Sequence, residues 1–382
     1  MKKIMNYRSN LLVLIGLSAF ALFGIYGVPG GAQTMRSAKA TPTPKKTVKA
    51  TPKGMAPKKS PASTRSTPKP TAPSARATPK PTPKATPKPA DSPQIIVSVT
   101  SARLRSEPST SSETVQYLKI GAVYPVLDQN TGWYRIRAGS EKTGWISNTV
   151  SQPFTTAKRG EIYGAIAAKY SKQALDFATA SQLYDFLTTA EKQITNRRQQ
   201  GEIGFKRLLA LQAALKKVPY DKQDKEPYNT FLKGKDKEVI YSDPSAEYYV
   251  ISELFWDLHD KNKGTPIGED IAWTASQNSL PGECEGYINC YLHNLRVTYG
   301  EYLNFYPAGK YSKKALTELG VFLGPIVADS REKSVYSGPA DISDRAEFNK
   351  LLTELRAIIS RSPYTEKTKP LQQIKTLAEA YR

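Results

Sequence analysis

The sequence predicts a multidomain chain: a small all-β barrel followed by an all-α helical domain, preceded by a signal or anchor and a disordered Pro/Lys-rich linker. Three observations predict it. An uncharged run from Leu11 to Val28 follows the basic residues Lys2, Lys3 and Arg8. Residues 34–93 are nearly all Thr, Pro, Lys, Ala and Ser and hold 14 of the 28 prolines. Beyond them, β-branched runs punctuated by turn residues give way near residue 159 to apolar residues at helical spacing.

Charge separates these segments. The 382 residues carry 55 Lys+Arg against 34 Asp+Glu, a formal charge of +21. The linker holds 14 basic groups and one acid, Asp91, whereas residues 94–382 hold 38 basic and 33 acidic groups. The excess sits in a low-complexity tract and not in a folded body, which argues against a nucleic-acid-binding protein. Two Cys and two His exclude multi-zinc and disulfide-framework classes.

Residues 1–33 read as a signal peptide or N-terminal membrane anchor. The basic start, the apolar run and the small residues Gly30 and Ala32 before a cut fit a secretory signal. The run 11–28 also just reaches membrane-spanning length, so anchoring through it stays open. No Cys lies near the cut, so a lipoprotein anchor is excluded. Both readings place the rest outside the cytoplasm: periplasmic, secreted or membrane-anchored.

Residues 34–93 repeat Ala-Thr-Pro-Lys, as at Ala50–Lys53, Ala77–Lys80 and Ala85–Lys88. With few large apolar side chains the segment cannot bury a core, and Pro density with Lys–Lys repulsion favours an extended coil. At ~3.1 Å per residue it reaches at most roughly 190 Å. A spacer is the favoured reading. Attraction to anionic lipid or wall polymers is the alternative.

Residues 94–153 open on Ile95-Ile96-Val97-Ser98-Val99 and alternate short apolar runs with turn signals at Glu107-Pro108-Ser109, Gly121, Asn130-Thr131-Gly132, Gly139 and Gly144. The spacing predicts a barrel of five or six short strands with Leu104, Leu118, Val126, Ile136 and Ile146 in its core. Ala102-Arg103-Leu104-Arg105-Ser106-Glu107-Pro108, Tyr117-Leu118-Lys119-Ile120-Gly121, Gly132-Trp133-Tyr134-Arg135-Ile136 and Thr143-Gly144-Trp145-Ile146 follow in order over about 55 residues. This series resembles bacterial SH3 (SH3b) domains, with Arg103 where that family usually has Asn. The resemblance implies binding of cell-wall or other short peptides. The residues themselves suit it: Arg105, Tyr117, Tyr124, Trp133, Tyr134, Arg135 and Trp145 are the ligand-binding candidates, with Arg137 beside them. Aromatic faces would take apolar parts and Arg would take carboxylates. Trp133 and Trp145 equally suit a core edge.

Residues 159–382 read as an all-helical domain. Helices are expected at Gly160–Tyr170, Gln173–Arg198, Phe205–Val218, Pro244–Asp260, Tyr287–Phe305, Ser312–Phe322, Asp344–Ser360 and Pro370–Tyr381, with 220–243 a long loop. The stretch Tyr299–Leu316 resembles the helix–turn–helix joint of tetratricopeptide-like repeats. It occurs once, without a 34-residue period, and predicts only a helical hairpin.

Chemistry is sparse. Cys284 and Cys290 flank five residues, with His293 following. After export they most simply form a disulfide. Zinc binding by Cys284, Cys290 and His293, or a Cys–His nucleophile pair, are the alternatives. His259 beside Asp257 and Asp260 reads as a helix-terminal or solvent-facing group. Glu247, Glu253, Glu269, Asp270, Glu283 and Glu285 are carboxylates from which nothing selects a catalytic pair. No phosphate loop, zinc-protease helix or nucleophile elbow occurs. No cofactor and no metal is expected.

The sequence therefore favours an exported, non-enzymatic cell-envelope protein. Its SH3b-like module would bind cell-wall peptide or an envelope protein partner, with the helical domain as scaffold. A peptidoglycan hydrolase with the helical domain catalytic is the alternative.

Overall fold

The computed structural model describes residues 93–139 and 142–382. The signal or anchor and the tether expected over residues 1–92 lie outside the described residues. Among the described residues no helix is long and apolar enough to cross a membrane.

Seven short strands form the first part: β1 (Gln94–Val97), β2 (Ala102–Arg105), β3 (Thr114–Leu118), β4 (Val123–Asn130), β5 (Trp133–Ala138), β6 (Lys142–Ser147) and β7 (Ser151–Phe154). They make one antiparallel sheet in the order β3-β2-β6-β5-β4-β1-β7. One more strand forms than the upper expected number, because Ser151–Phe154 pairs along the free edge of β1, Ile96 opposite Gln152. The sheet curls: Val97 of β1 and Leu118 of β3, far apart in strand order, share one core with Leu104, Ile136 and Ile146. Of the expected core residues, Val126 is only partly buried.

Strand β1 is buried on both faces. Ile95 and Val97 enter the β core, while Ile96, also fully buried, enters the core of the helices. Alternation of side chains along a strand makes this possible. Phe154 of β7 and Ile120 join Ile96 there, against Tyr163, Ile166 and Phe186. Two polar contacts fasten the joint: the Thr100 N–H donates to Tyr170 Oη at 2.9 Å, and Lys169 Nζ donates to Ser98 Oγ at 2.9 Å.

The helical part begins with α1 (Arg159–Ala168), α2 (Phe177–Gln193), α3 (Arg197–Leu215) and the short α4 (Tyr228–Leu232). The expected single helix Gln173–Arg198 is broken. Ile194 is extended, and Asn196 caps α3 by accepting the Gln199 N–H at 3.1 Å. A polar N-cap satisfies amide groups that the first helical turn leaves unpaired, so a new helix begins there and not at Phe205.

The domain is not purely helical. Strands β8 (Val239–Ser242) and β9 (Glu247–Val250) form a hairpin where a loop and a helix start were expected. Val239, Ile240, Tyr241, Tyr248, Tyr249 and Val250 are β-branched or aromatic and flank the turn 243–246, so β pairing outweighs the helical reading of Pro244.

Then follow α5 (Ser252–Asn262), α6 (Gly268–Ser276), α7 (Ile288–Leu295), a π-helical segment (Arg296–Gly300), α8 (Glu301–Phe305), α9 (Ser312–Asp329), α10 (Ile342–Ser360) and α11 (Thr368–Ala380). Helix α6 was not foreseen. Helix α9 continues past its expected end through Pro325. The carbonyl freed by that proline belongs to Val321, which is 56% exposed, so the lost bond falls on the solvent side of the helix. The hairpin expected around Tyr299–Leu316 forms from α8 and α9. A second core, built from α6 to α11, is centred on Tyr302, Leu316, Phe348 and Leu355.

Candidate functional site

The strand register sorts the seven SH3b candidates onto two faces. Opposite the core residues Leu104, Ile136 and Ile146, the outer face carries Arg103 and Arg105 on β2, Tyr117 on β3, Trp133 and Arg135 on β5, and Trp145 on β6. Trp145 stands between Arg105 on one neighbouring strand and Arg135 on the other. Arg103 pairs with Tyr117, its guanidinium carbon 6.0 Å from the ring centre. Tyr117 is 63% exposed, and both tryptophans are half-buried.

Tyr124 and Tyr134 do not join this face. Both pack against the β core, and burial pushes the Tyr124 phenol upward. The parity of β5 dictates it for Tyr134, which points with Ile136 and away from Trp133 and Arg135.

Arg105 Nη1 donates to the Ser112 carbonyl at 2.6 Å, which fixes the arginine against the loop 106–113. Among the described residues Arg103, Arg105 and Arg135 form no ion pair. The forks of Arg103 and Arg135, and the donors of Arg105 that Ser112 does not use, remain available to an incoming carboxylate. Beside Trp133 a shallow cleft of about 440 Å³ opens between the turns 129–132 and Asn148. Arg103 and the cleft residues Asn130 and Asn148 belong to this neighbourhood although sequence reasoning did not nominate them. The alternation of β2 places Arg103 beside Arg105, so that one was readable.

Comparison with protein families decides the nature of this segment. The bacterial SH3 domain family matches residues 100–151. That segment is a bacterial SH3 domain. Neither the curated proteins nor the solved structures include a match to the chain. The outer face of the SH3 domain lies away from β1, β7 and Ile120, the parts that meet the helices, so docking leaves it open.

The helical part holds a second polar cluster. Arg207 of α3 lies between Glu191, 2.8 Å away, and Glu238, which also accepts the hydroxyl of Tyr184. Burial and then the Glu238 carboxylate push Tyr184 up to about 12. Burial raises Glu238, but the hydrogen bonds from Tyr184 and Arg207 and the Arg207 charge outweigh it, so its carboxyl stays below the usual range. An ionised Glu238 has no proton to give at neutral pH. The cluster ties the hairpin β8–β9 to α2 and α3.

Other carboxylates are similarly engaged. Glu269 Oε1 accepts from Tyr302 Oη at 2.6 Å and from the Lys310 N–H at 2.5 Å. Asp270 Oδ1 accepts from Tyr311 Oη at 2.7 Å and lies 2.6 Å from Lys310 Nζ. The pair clamps the turn 306–311 onto the start of α6.

His259 stands at the end of a helix, as one of the two expected readings has it, but it is fully buried and not solvent-facing. The last turn of α5 is pressed against Phe305 and Tyr306, and His259 Nε2 lies 3.0 Å from Tyr306 Oη. Cys284 and Cys290 are joined in a disulfide with Cα atoms 5.4 Å apart. His293, the third member of the alternative zinc set, is exposed. Among the described residues no cluster of His, Cys, Asp and Glu is arranged to hold a metal ion.

Proposed function

We propose that the protein is an exported, non-enzymatic component of the cell envelope. Its SH3 domain holds a cell-wall peptide, and its helical domain serves as a scaffold docked behind that module. The carrying observation is Trp145 flanked across the sheet by Arg105 and Arg135. A peptide bearing free carboxylates and small apolar side chains suits such a face: indole offers apolar contact, and each guanidinium offers a two-pronged grip on a carboxylate. Bacterial SH3 domains commonly bind peptidoglycan or proteins, which agrees with this reading. The expected signal and the tether of up to roughly 190 Å would carry the module outside and give it reach.

Retention of the full-length protein on purified peptidoglycan sacculi, at low and moderate salt, tests the proposal. The expected result is retention that survives moderate salt and is lost in Trp145→Ala. Absence of retention, or retention that moderate salt abolishes, would remove specific wall binding and leave an envelope protein as the partner.

A further inference from the structure

The helical domain contains a groove that shares no lining residue with the outer SH3 face. Lys206, Leu209 and Ala213 follow one another along α3 at spacings that place them on one stripe, and Lys216 and Lys217 follow in the turn just beyond its end. Leu209 is 36% exposed. The stripe floors a cleft of about 620 Å³ whose apolar walls come from Leu175, Leu183, Phe205 and Ala210. Its volume lies within the range of small-molecule sites. A second cleft of about 610 Å³ shares Ala174, Leu175 and Lys217 with the first and runs on past Phe177 and Tyr228. Together they make an elongated trough, a shape that suits a chain better than a compact ligand.

The charge at the trough is one-sided. Among the described residues none of Lys206, Lys216 and Lys217 forms an ion pair. Lys206 reaches only Ser171 Oγ, at 3.4 Å. The acids lining the two clefts are already engaged. Asp270 is held by Tyr311 and Lys310, and Asp176 caps α2 by accepting the Thr179 N–H at 2.7 Å. An apolar trough edged by three unpaired ammonium groups suits a guest with an apolar tail and one acidic head.

We propose that this trough binds a single-chain anionic amphiphile, an acyl chain ending in a carboxylate. The chain lies along Leu209 and Leu175, and the head meets the lysines. This site is independent of the peptide-binding reading of the SH3 face.

Calorimetric titration of the full-length protein with decanoate, dodecanoate and dodecyltrimethylammonium tests it. Each buried methylene multiplies affinity about fourfold, so dodecanoate binds about 15-fold tighter than decanoate, one per chain. The cationic amphiphile binds at least about tenfold more weakly, and Lys206→Gln/Lys216→Gln/Lys217→Gln together weaken dodecanoate about tenfold. Leu209→Asn, at an exposed position, weakens dodecanoate without lowering the melting temperature. Equal binding of the two head groups, absence of a chain-length effect, or unchanged affinity in the triple variant overturns the proposal. So does binding to phosphatidylglycerol vesicles without binding of monomeric dodecanoate, which would make the lysines a membrane-surface patch. Should the triple variant fail to fold, the head-group and chain-length comparisons on the unaltered protein still decide.

Discussion

Gly121 of the SH3 domain lies directly under the ring of Phe186 in α2: a Cβ on that glycine would sit 2.1 Å from Phe186 Cδ2. Gly121 also has φ +79, which an L side chain adopts only with strain. Two requirements therefore meet at one position, a turn and a close approach between two parts of the chain. Gly121→Ala is expected to destabilise the protein by about 2–4 kcal/mol, from overpacking and left-handed strain together. Chemical denaturation followed by tryptophan fluorescence measures it. A loss under about 0.5 kcal/mol, the size of an ordinary surface change, would show that Phe186 does not press on the SH3 domain.

Arg135 is exposed and Trp145 half-buried, so they separate binding from stability. Arg135→Gln should leave the melting temperature nearly unchanged, as surface substitutions do, within about 0.5 kcal/mol. It should nevertheless weaken retention on sacculi several-fold, because it removes one bidentate partner for a carboxylate. Tyr134→Phe, on the inner face, should leave retention as it is. If Tyr134→Phe weakened binding and Arg135→Gln did not, the ligand would not lie on the outer face.

The SH3 domain was legible because its signals are local and redundant: glycines at forced turns, alternating core residues, and two tryptophans at set positions. Which candidates share a face was readable from parity alone, since Tyr134 must oppose Trp133 and Arg135 along one strand. The tie between Asn196 and Gln199 was also in reach, as a polar cap three residues before Gln, yet the apolar stripe of α2 masked the break. The hairpin at Val239–Val250 carried strand residues on both sides of a turn, but a Pro-Ser start resembled a helix cap. Burial of His259 had no local signal. It depends on Phe305 and Tyr306, more than forty residues away.

The Tyr184–Glu238–Arg207 cluster should confer sensitivity to alkali. Tyr184 is buried and its folded pKa, about 12, lies above the ordinary value of 10.0. The unfolded chain therefore loses that proton first. The stabilisation is complete below pH 10 and disappears as pH rises towards 12, by on the order of 2 kcal/mol. Thermal melts of the wild type and Tyr184→Phe between pH 9 and 12 measure it (about three units spanning the window). The variant should lose less stability across that span. Parallel declines would mean that burial and Glu238 do not hold the Tyr184 phenol above its ordinary value in the folded protein.

His259 gives the opposite dependence, on the acid side. Burial, the largest influence, lowers its pKa below the ordinary value of 6.5, against the pull of Asp260. Unfolded chains then bind a proton more readily than folded ones. Stability is present above about pH 6.5 and falls as pH drops through the folded value. Lys263, which pairs with Asp260 at 2.9 Å, opposes the imidazolium further. Urea denaturation at pH 7.5 and 5.5 should show a loss in the wild type that His259→Gln reduces. Equal losses would place the acid sensitivity in the carboxylates.

The disulfide should matter locally. Cys284 and Cys290 are six residues apart. Closing so short a loop restricts the unfolded chain by about 2 kcal/mol in the chain-entropy account. The loop is also stitched to a distant segment: the Ser337 N–H donates to the Gly286 carbonyl at 2.9 Å, and the Ile288 N–H to the Ser337 carbonyl at 3.1 Å. Asp329 holds the other side of that segment by accepting the N–H groups of Ser334, Val335 and Tyr336. Cys284→Ala/Cys290→Ala should therefore raise amide hydrogen exchange around 284–290 and 334–337, while the SH3 domain and α1 to α3, built on another core, keep their protection. Exchange that rose equally throughout would mean that the two cores unfold as one and that the disulfide stabilises the whole rather than this corner.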